Sequence, residues 1–240
     1  MKQDKLYAKN QQVVDFAFDE AVADVFPDMI RRSVPGYDAI ISQLGVLAKH
    51  HAQAQTNIYD LGCSLGAATL SMHRQTSNLK LKHICIDSSE SMIKRCQSHL
   101  QRHIPNNELQ VICENMEDTV IENASIVVIN FTLQFLEPKA RLKLLKNVYK
   151  GLLPDGVLIL SEKLLFEDAV ENQLQIDWHI TSKRSNGYSD MEISQKRAAL
   201  ENVLIPDSLE QHKQRLKEAG FMQSYQWFQS FNFASLIALK

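Results

Sequence analysis

The sequence is poor in the residues that define several protein classes. Its four cysteines, Cys63, Cys85, Cys96 and Cys113, form no CxxC pair, which argues against a disulfide scaffold and for reduced thiols. Eight glycines and six prolines are too few for a collagenous or linker-rich chain. Neither sign of charge dominates: 26 basic and 28 acidic residues leave a formal net charge of -2, which weighs against gripping a nucleic-acid backbone through net charge. Long apolar runs are missing too. The most apolar stretch, around Ala124–Phe131, falls far short of the ~20 residues of a membrane helix. The first residues lack the layout of a secretory leader. The expectation is a cytoplasmic protein without membrane association, acting on a small molecule. With 45% hydrophobic and 22% charged residues, the composition is otherwise that of an ordinary globular protein.

What is present is an alternation. β-rich runs at Asn57–Leu61, His83–Asp87, Leu109–Cys113, Ser125–Phe131 and Val157–Ser161 are separated by amphipathic stretches long enough for helices, the pattern of βαβ units and a parallel sheet. Two further runs, Ser224–Phe228 and Phe233–Leu239, lie too close together for a helical crossover. They are expected to form an antiparallel hairpin at one sheet edge. The fold class is therefore α/β, a Rossmann-like sheet of seven mostly parallel strands with the last reversed. Three segments break the rhythm: a helix-like region from Phe16 to Arg32, a turn at Val34–Tyr37, and an insertion from Lys163 to about Pro206. Residues 1–37 are read as an N-terminal cover and 163–206 as a helical lid on a single domain spanning 1–240, since such insertions commonly cover a ligand site.

The most specific local feature is Asp60-Leu61-Gly62-Cys63-Ser64-Leu65-Gly66, a strand end feeding a helix. Glycine at 62 and 66 permits a tight turn with backbone pressed against a ligand. The spacing is not GxGxxG, and Asp60 puts negative charge where a pyrophosphate would lie, so a cationic or zwitterionic ligand is favoured. One βα unit later the second strand ends at Asp87, whose carboxylate can accept from both hydroxyls of a ribose. The third strand tip offers Asn115 and Met116 to an adenine, and the fourth offers Asn130. Each has a plain alternative, such as a chain turn, a helix cap or core packing. Their occurrence at four successive strand ends points to one crevice.

The run Asp60–Gly66 resembles the glycine motif of class I S-adenosylmethionine (SAM)-dependent methyltransferases, with Ser64 where many members carry glycine and Asn115 where aspartate is usual. The resemblance implies that Gly62, Cys63 and Ser64 meet the methionine moiety, Asp87 the ribose, Asn115 and Met116 the adenine, and Asn130 the far side of SAM, with Ser88 a further cofactor contact. Longer stretches resemble a narrower branch. Val25-Phe26-Pro27-Asp28-Met29-Ile30-Arg31-Arg32-Ser33-Val34-Pro35-Gly36-Tyr37, Asn130-Phe131-Thr132-Leu133-Gln134-Phe135-Leu136, Asn186-Gly187-Tyr188-Ser189, Ser194-Gln195-Lys196-Arg197 and Trp227–Phe233 are similar to the carboxy-S-adenosyl-L-methionine synthase family. That family makes carboxy-SAM from SAM and prephenate, releasing phenylpyruvate. A partner tRNA carboxymethyltransferase then uses the product on the wobble uridine.

The resemblance implies Arg197 as the cation facing the transferred carboxylate and Tyr37 as a further ligand contact. It also implies a homodimer, no direct tRNA contact and no metal. The reaction requires deprotonating the sulfonium methyl and excluding water, a task for the lid. No protein base stands out, and the co-substrate is the expected proton acceptor. Two other readings share the fold and loop: a methyltransferase acting on RNA or a small molecule, and a non-catalytic SAM-binding partner. Arg197 separates the first reading from these, because methyl transfer needs no cation beside the moving carbon. Cys96, His99 and His103 have helical spacing but are read as a solvated face rather than metal ligands. The aromatics Trp227–Phe233 are read as a buried or subunit-facing hairpin rather than an RNA platform.

Overall fold

The computed structural model describes residues 2–10 and 12–240. The helices are α1 (Glu20–Ser33), α2 (Tyr37–His51), α3 (Ala67–Thr76), α4 (Glu90–Leu100), α5 (Pro138–Gly151), α6 (Ala169–Ser185), α7 (Asp190–Leu200) and α8 (Leu209–Ala219). The strands are β1 (Asn57–Leu61), β2 (Lys82–Asp87), β3 (Leu109–Cys113), β4 (Ala124–Asn130), β5 (Leu152–Leu165), β6 (Asp207–Ser208), β7 (Gln223–Ser230) and β8 (Phe233–Leu239). They pair in the order β3-β2-β1-β4-β5-β8-β7. Neighbours from β3 to β5 run parallel, and β8 lies antiparallel between β5 and β7. The hairpin therefore closes one edge as expected, with its reversed strand on the inside.

The period of two along the strands explains why both faces are covered. Val127 and Ile129 of β4 join Leu158 and Leu160 of β5 in a core capped by Leu144, Leu145 and Val148 of α5 and Leu216 of α8. Their alternates Ile126, Val128, Val157 and Ile159 face the other way, onto Ile40 and Leu44 of α2 and Met72 of α3. All of these side chains are essentially inaccessible, and each contributes about 1.5–3 kcal/mol by leaving water.

Two of the three segments outside the alternation, the N-terminal region and the insertion, meet each other. Phe16, Val22, Val25 and Met29 pack with Met92 of α4 and Ala199 of α7, and the Phe16 N–H donates to the Ala199 carbonyl at 2.9 Å. The helix expected from Phe16 begins only at Glu20, because the Asp19 side chain accepts from the Val22 N–H and caps it there. The insertion folds as α6 and α7, the second opened by a capping box between Ser189 and Glu192. Its return to the sheet is fixed by Asp207 of β6, a strand of two residues that carries too little pattern to be read in sequence. Asp207 accepts from Arg141 at 2.5 Å and pairs with Arg215 at 2.8 Å. The strand expected at Val157–Ser161 extends in both directions, to Leu152 and Leu165. No helix among the described residues is long and apolar enough to cross a membrane.

Candidate active site

At the carboxyl ends of β1 to β4 the sheet opens into a cavity of about 510 Å³, the place where parallel α/β sheets bind ligands. Its floor is the turn after β1. Gly62 and Gly66 have φ of +78° and +80°, and a Cβ on Gly62 would stand 2.2 Å from the Thr132 methyl group. Glycine at 62 thus lets the segment after β4 close onto the loop. The Gly62 and Cys63 N–H groups donate to the Ile86 carbonyl at 2.8 and 2.9 Å, tying the turn to β2.

Asp87 at the tip of β2 is held on both oxygens. Oδ2 accepts from the Ser64 N–H and Oδ1 from the Ser89 N–H, each at 2.9 Å. These bonds fix the carboxylate while its remaining lone pairs stay available, the arrangement a vicinal diol needs. Burial raises its pKa, and the two backbone bonds oppose that rise.

Asp60 is buried, and its Oδ2 accepts from the Thr69 N–H at 3.2 Å and the Thr69 hydroxyl at 2.7 Å. Burial first, then the neighbouring Cys85, pushes its pKa up to about 7. Such a group gains from a bound cation, which would favour its ionised form. Tyr37, the first residue of α2, is buried and lines the same space. Burial, followed by the charge of Asp60, raises its pKa, so the hydroxyl is a neutral donor.

Asn130 carries the sharpest signal for a ligand. It lines the cavity, and its buried Oδ1 has no hydrogen-bond partner among the described residues. A buried acceptor left unpaired is costly, and the ammonium of a bound amino acid would satisfy it. Ser88, Asn115 and Met116 also line the cavity. Asn115 is exposed and Met116 half-buried against the main core.

The expected loop and strand-tip residues thus come together, whereas Arg197 does not join them. It is exposed on α7 and outside the cavity wall, and the preceding Lys196 lines it instead. Arg197 nevertheless stands near enough for its charge to depress the pKa values of Lys163 and Lys183, after burial in Lys163 and after burial and the other lysines in Lys183.

Two groups of lining residues were not read in the sequence. Phe16, Phe18, Phe26 and Phe135 form an aromatic side to the cavity, with the Phe18 and Phe135 rings 5.2 Å apart and edge-on. Lys163, Lys183, Lys196 and His179 form a basic side. The aromatic cluster is visible in sequence only as Phe16 and Phe18, two residues apart, and the basic one has no local pattern because its members come from β5, α6 and α7.

Cysteine behaves differently from expectation in one place. Cys96 does not share a solvated face with His99 and His103. It is fully buried, its sulfur 3.9 Å from that of Cys63, while both histidines are exposed. Hydrogen bonding to Cys85 and Cys96, then burial, holds the Cys63 thiol well above its ordinary pKa. That is the environment of an inert thiol rather than a nucleophile.

A methyltransferase domain family model matches residues 58–156, the span from β1 into β5. Among solved structures, an O-methyltransferase family protein from Burkholderia thailandensis is similar with a TM-score of 0.65 at 17% identity, over 93% of this chain and 60% of that one. Human N-acetylserotonin methyltransferase in complex with SAM gives 0.60 at 15%, over 92% and 55%. Both bear on the fold alone.

Curated relatives reach further. The carboxy-S-adenosyl-L-methionine synthase of Shewanella sediminis is 55% identical over 99% of this chain and 98% of its own. The enzyme of the same name from Psychromonas ingrahamii is 52% identical over 100% and 99%. With the methyltransferase fold, the cofactor crevice and this end-to-end identity in hand, the chain belongs to the carboxy-S-adenosyl-L-methionine synthase family.

Proposed function

We propose that this enzyme carboxylates the methyl group of SAM with the carboxylate that prephenate loses, yielding carboxy-SAM and phenylpyruvate. One observation carries the reading beyond the family's SAM chemistry: a single cavity is lined by the acidic Asp60 and Asp87 and by three lysines, Lys196 buried and Lys163 and Lys183 half-buried. A SAM sulfonium and a carboxylate-rich co-substrate are complementary to such a cavity. Methyl transfer to a neutral acceptor has no use for the lysines.

The bond changes balance without a protein base. Prephenate becomes aromatic as its ring carboxylate leaves as carbon dioxide and its ring hydroxyl leaves as hydroxide. The hydroxide takes a proton from the sulfonium methyl, forming water, and the carbon's electron pair bonds to carbon dioxide. Both transient species are lost if bulk water enters. The aromatic side chains of the N-terminal segment and helices α6 and α7 are positioned to exclude it, and we assign the 163–206 segment the role of lid. Arg197, at the outer margin of the basic cluster, is the residue we assign to the new carboxylate when α7 moves inward. Its planar guanidinium suits that anion.

The fit of SAM to the floor has a direct test. Asp87→Ala removes the acceptor for the ribose and releases the Ser64 N–H, and is expected to weaken SAM binding about 10- to 100-fold by calorimetry. A change below about twofold would contradict the ribose assignment. We further propose that the enzyme is a homodimer in the cytoplasm and that its product passes to a tRNA carboxymethyltransferase. Exposed Trp178 and Phe231, with ring centroids 6.3 Å apart, fit a subunit contact, and sedimentation would reveal a monomer if that is wrong. The reaction itself is tested by supplying SAM with and without prephenate and looking for a product heavier by the mass of carbon dioxide. A methylated acceptor in place of that product would favour an ordinary methyltransferase.

A further inference from the structure

The basic side of the cavity is not neutralised by the protein. Lys196 has a partner set: its Nζ donates to the Ser33 hydroxyl at 3.0 Å and stands 3.7 Å from the Asp4 carboxylate. That carboxylate also accepts from the Tyr188 hydroxyl at 2.5 Å. Lys163, near the end of β5, and Lys183, in the last turn of α6, have no ion pair among the described residues, although both line the cavity. Burial first, then nearby positive charge, lowers the pKa of each, Lys183 to about 7. Asp4, already shared between Lys196 and Tyr188, is the acid whose charge supports Lys183. Glu162, next to Lys163, does not help. Its two oxygens are taken by the Leu133 and Gln134 N–H groups, and burial pushes its pKa up to about 8.

Holding two half-buried lysines side by side as ammonium ions without an acid is costly. SAM does not relieve it. Its methionine end brings one carboxylate, but the ammonium, which suits Asn130, balances that charge, and the sulfonium leaves SAM with a net positive charge. The relief must come from the co-substrate, and two lysines without acids call for two negative charges.

We propose that Lys163 and Lys183 form a two-point subsite that takes the two carboxylates of a small dianionic co-substrate, making these lysines the determinants of specificity for a dicarboxylate over a monocarboxylate. This rests on the proposed reaction for the identity of the dianion. It goes beyond that reading in assigning the recognition to β5 and α6 rather than to Arg197. The subsite also gives product release a physical cause. Phenylpyruvate has lost one carboxylate, so it leaves one lysine unpaired and is held less tightly than prephenate.

The test separates binding from turnover by using the enzyme loaded with S-adenosylhomocysteine, which has no methyl group to react. Titration with prephenate and, separately, with phenylpyruvate gives the two affinities for wild type, Lys163→Met, Lys183→Met and the corresponding glutamine and arginine variants. Loss of one charged partner is expected to raise the Kd for prephenate about 10- to 100-fold in each methionine and glutamine variant. Preference for prephenate over phenylpyruvate should fall toward unity, and S-adenosylhomocysteine affinity should stay within about twofold. The arginine variants should recover most of the prephenate affinity.

Unchanged prephenate affinity in both lysine variants would overturn the subsite, as would a parallel loss of S-adenosylhomocysteine affinity, which marks a general structural defect. If wild type binds prephenate through these lysines yet forms no carboxy-SAM, the proposed reaction fails and the subsite stands. If carboxy-SAM forms and the variants bind prephenate normally, the subsite alone fails.

Discussion

Gly62→Ala is expected to lower SAM affinity by at least about 100-fold while leaving the far-ultraviolet circular dichroism of the sheet intact. The residue has φ of +78°, and its added Cβ would meet Thr132 at distances between 2.2 and 2.7 Å. An L-side chain in that conformation costs about 1–2 kcal/mol. Relief of the clash requires either the Thr132 segment or the loop to retreat from the cavity. Displacements of about 1 Å at a positioning element are enough for losses of this order. The Ser64 N–H would move with the loop and loosen its bond to Asp87, so both ends of the nucleoside site would suffer. Calorimetric titration with SAM decides the matter, and an affinity within about threefold of wild type would mean the loop does not carry the ligand.

The second large effect is on stability. Asp207→Ala should destabilise the fold by about 3–5 kcal/mol in denaturant titration, because it leaves buried Arg141 without its carboxylate. Arg141 is fully buried. It also donates to the carbonyls of Leu136 and Ile205, each at 2.9 Å, so it joins the start of α5 to the end of the insertion. Arg215 would lose its 2.8 Å ion pair at the same time. These contacts fix where α7 returns to the sheet, so the variant should also close its cavity poorly and lose carboxylation beyond what instability explains. Asp207→Asn, which keeps the shape and an acceptor oxygen, is expected to fall between the two. A cost below about 1 kcal/mol for the alanine variant would place the pair among contacts of surface strength.

The parts of this architecture that were legible in the sequence are those governed by short-range rules. The β-rich run Ser125–Phe131 reads as a strand, and because residues two apart face the same way, Val127 and Ile129 pack in one core while Ile126 and Val128 pack in the other. Gly62 and Gly66 marked the ligand loop because few other residues tolerate positive φ. The expected helix takes in Phe16 and Phe18, which lie before the Asp19 cap that starts the helix in the structure. In the structure Phe16 instead pairs its N–H with Ala199, a contact across the chain that no local pattern encodes.

Arg197 illustrates a different limit. Similarity in a motif transfers residue identity, but successive residues on a helix point about 100° apart, and on α7 that rotation puts Lys196 into the cavity and Arg197 outside it. The lysines at 163 and 183 were invisible for a related reason. They lie on different elements and become a site only when β5 and α6 converge. Cys96 looked like part of a polar helix face because its neighbours Lys94 and Arg95 are charged, whereas the helix turns its sulfur inward onto Cys63.

The central claim, that the carbon added to SAM comes from the co-substrate inside a closed cavity, is tested most directly with prephenate carrying carbon-13 only in its ring carboxylate. A single turnover in buffer containing ordinary bicarbonate, read by mass spectrometry, should give carboxy-SAM labelled to nearly the same extent as the prephenate, with phenylpyruvate formed in equal amount. Unlabelled carboxy-SAM would show that the carbon dioxide came from solution. That result would contradict both the role assigned to the lid and the direct hand-over of carbon within the cavity.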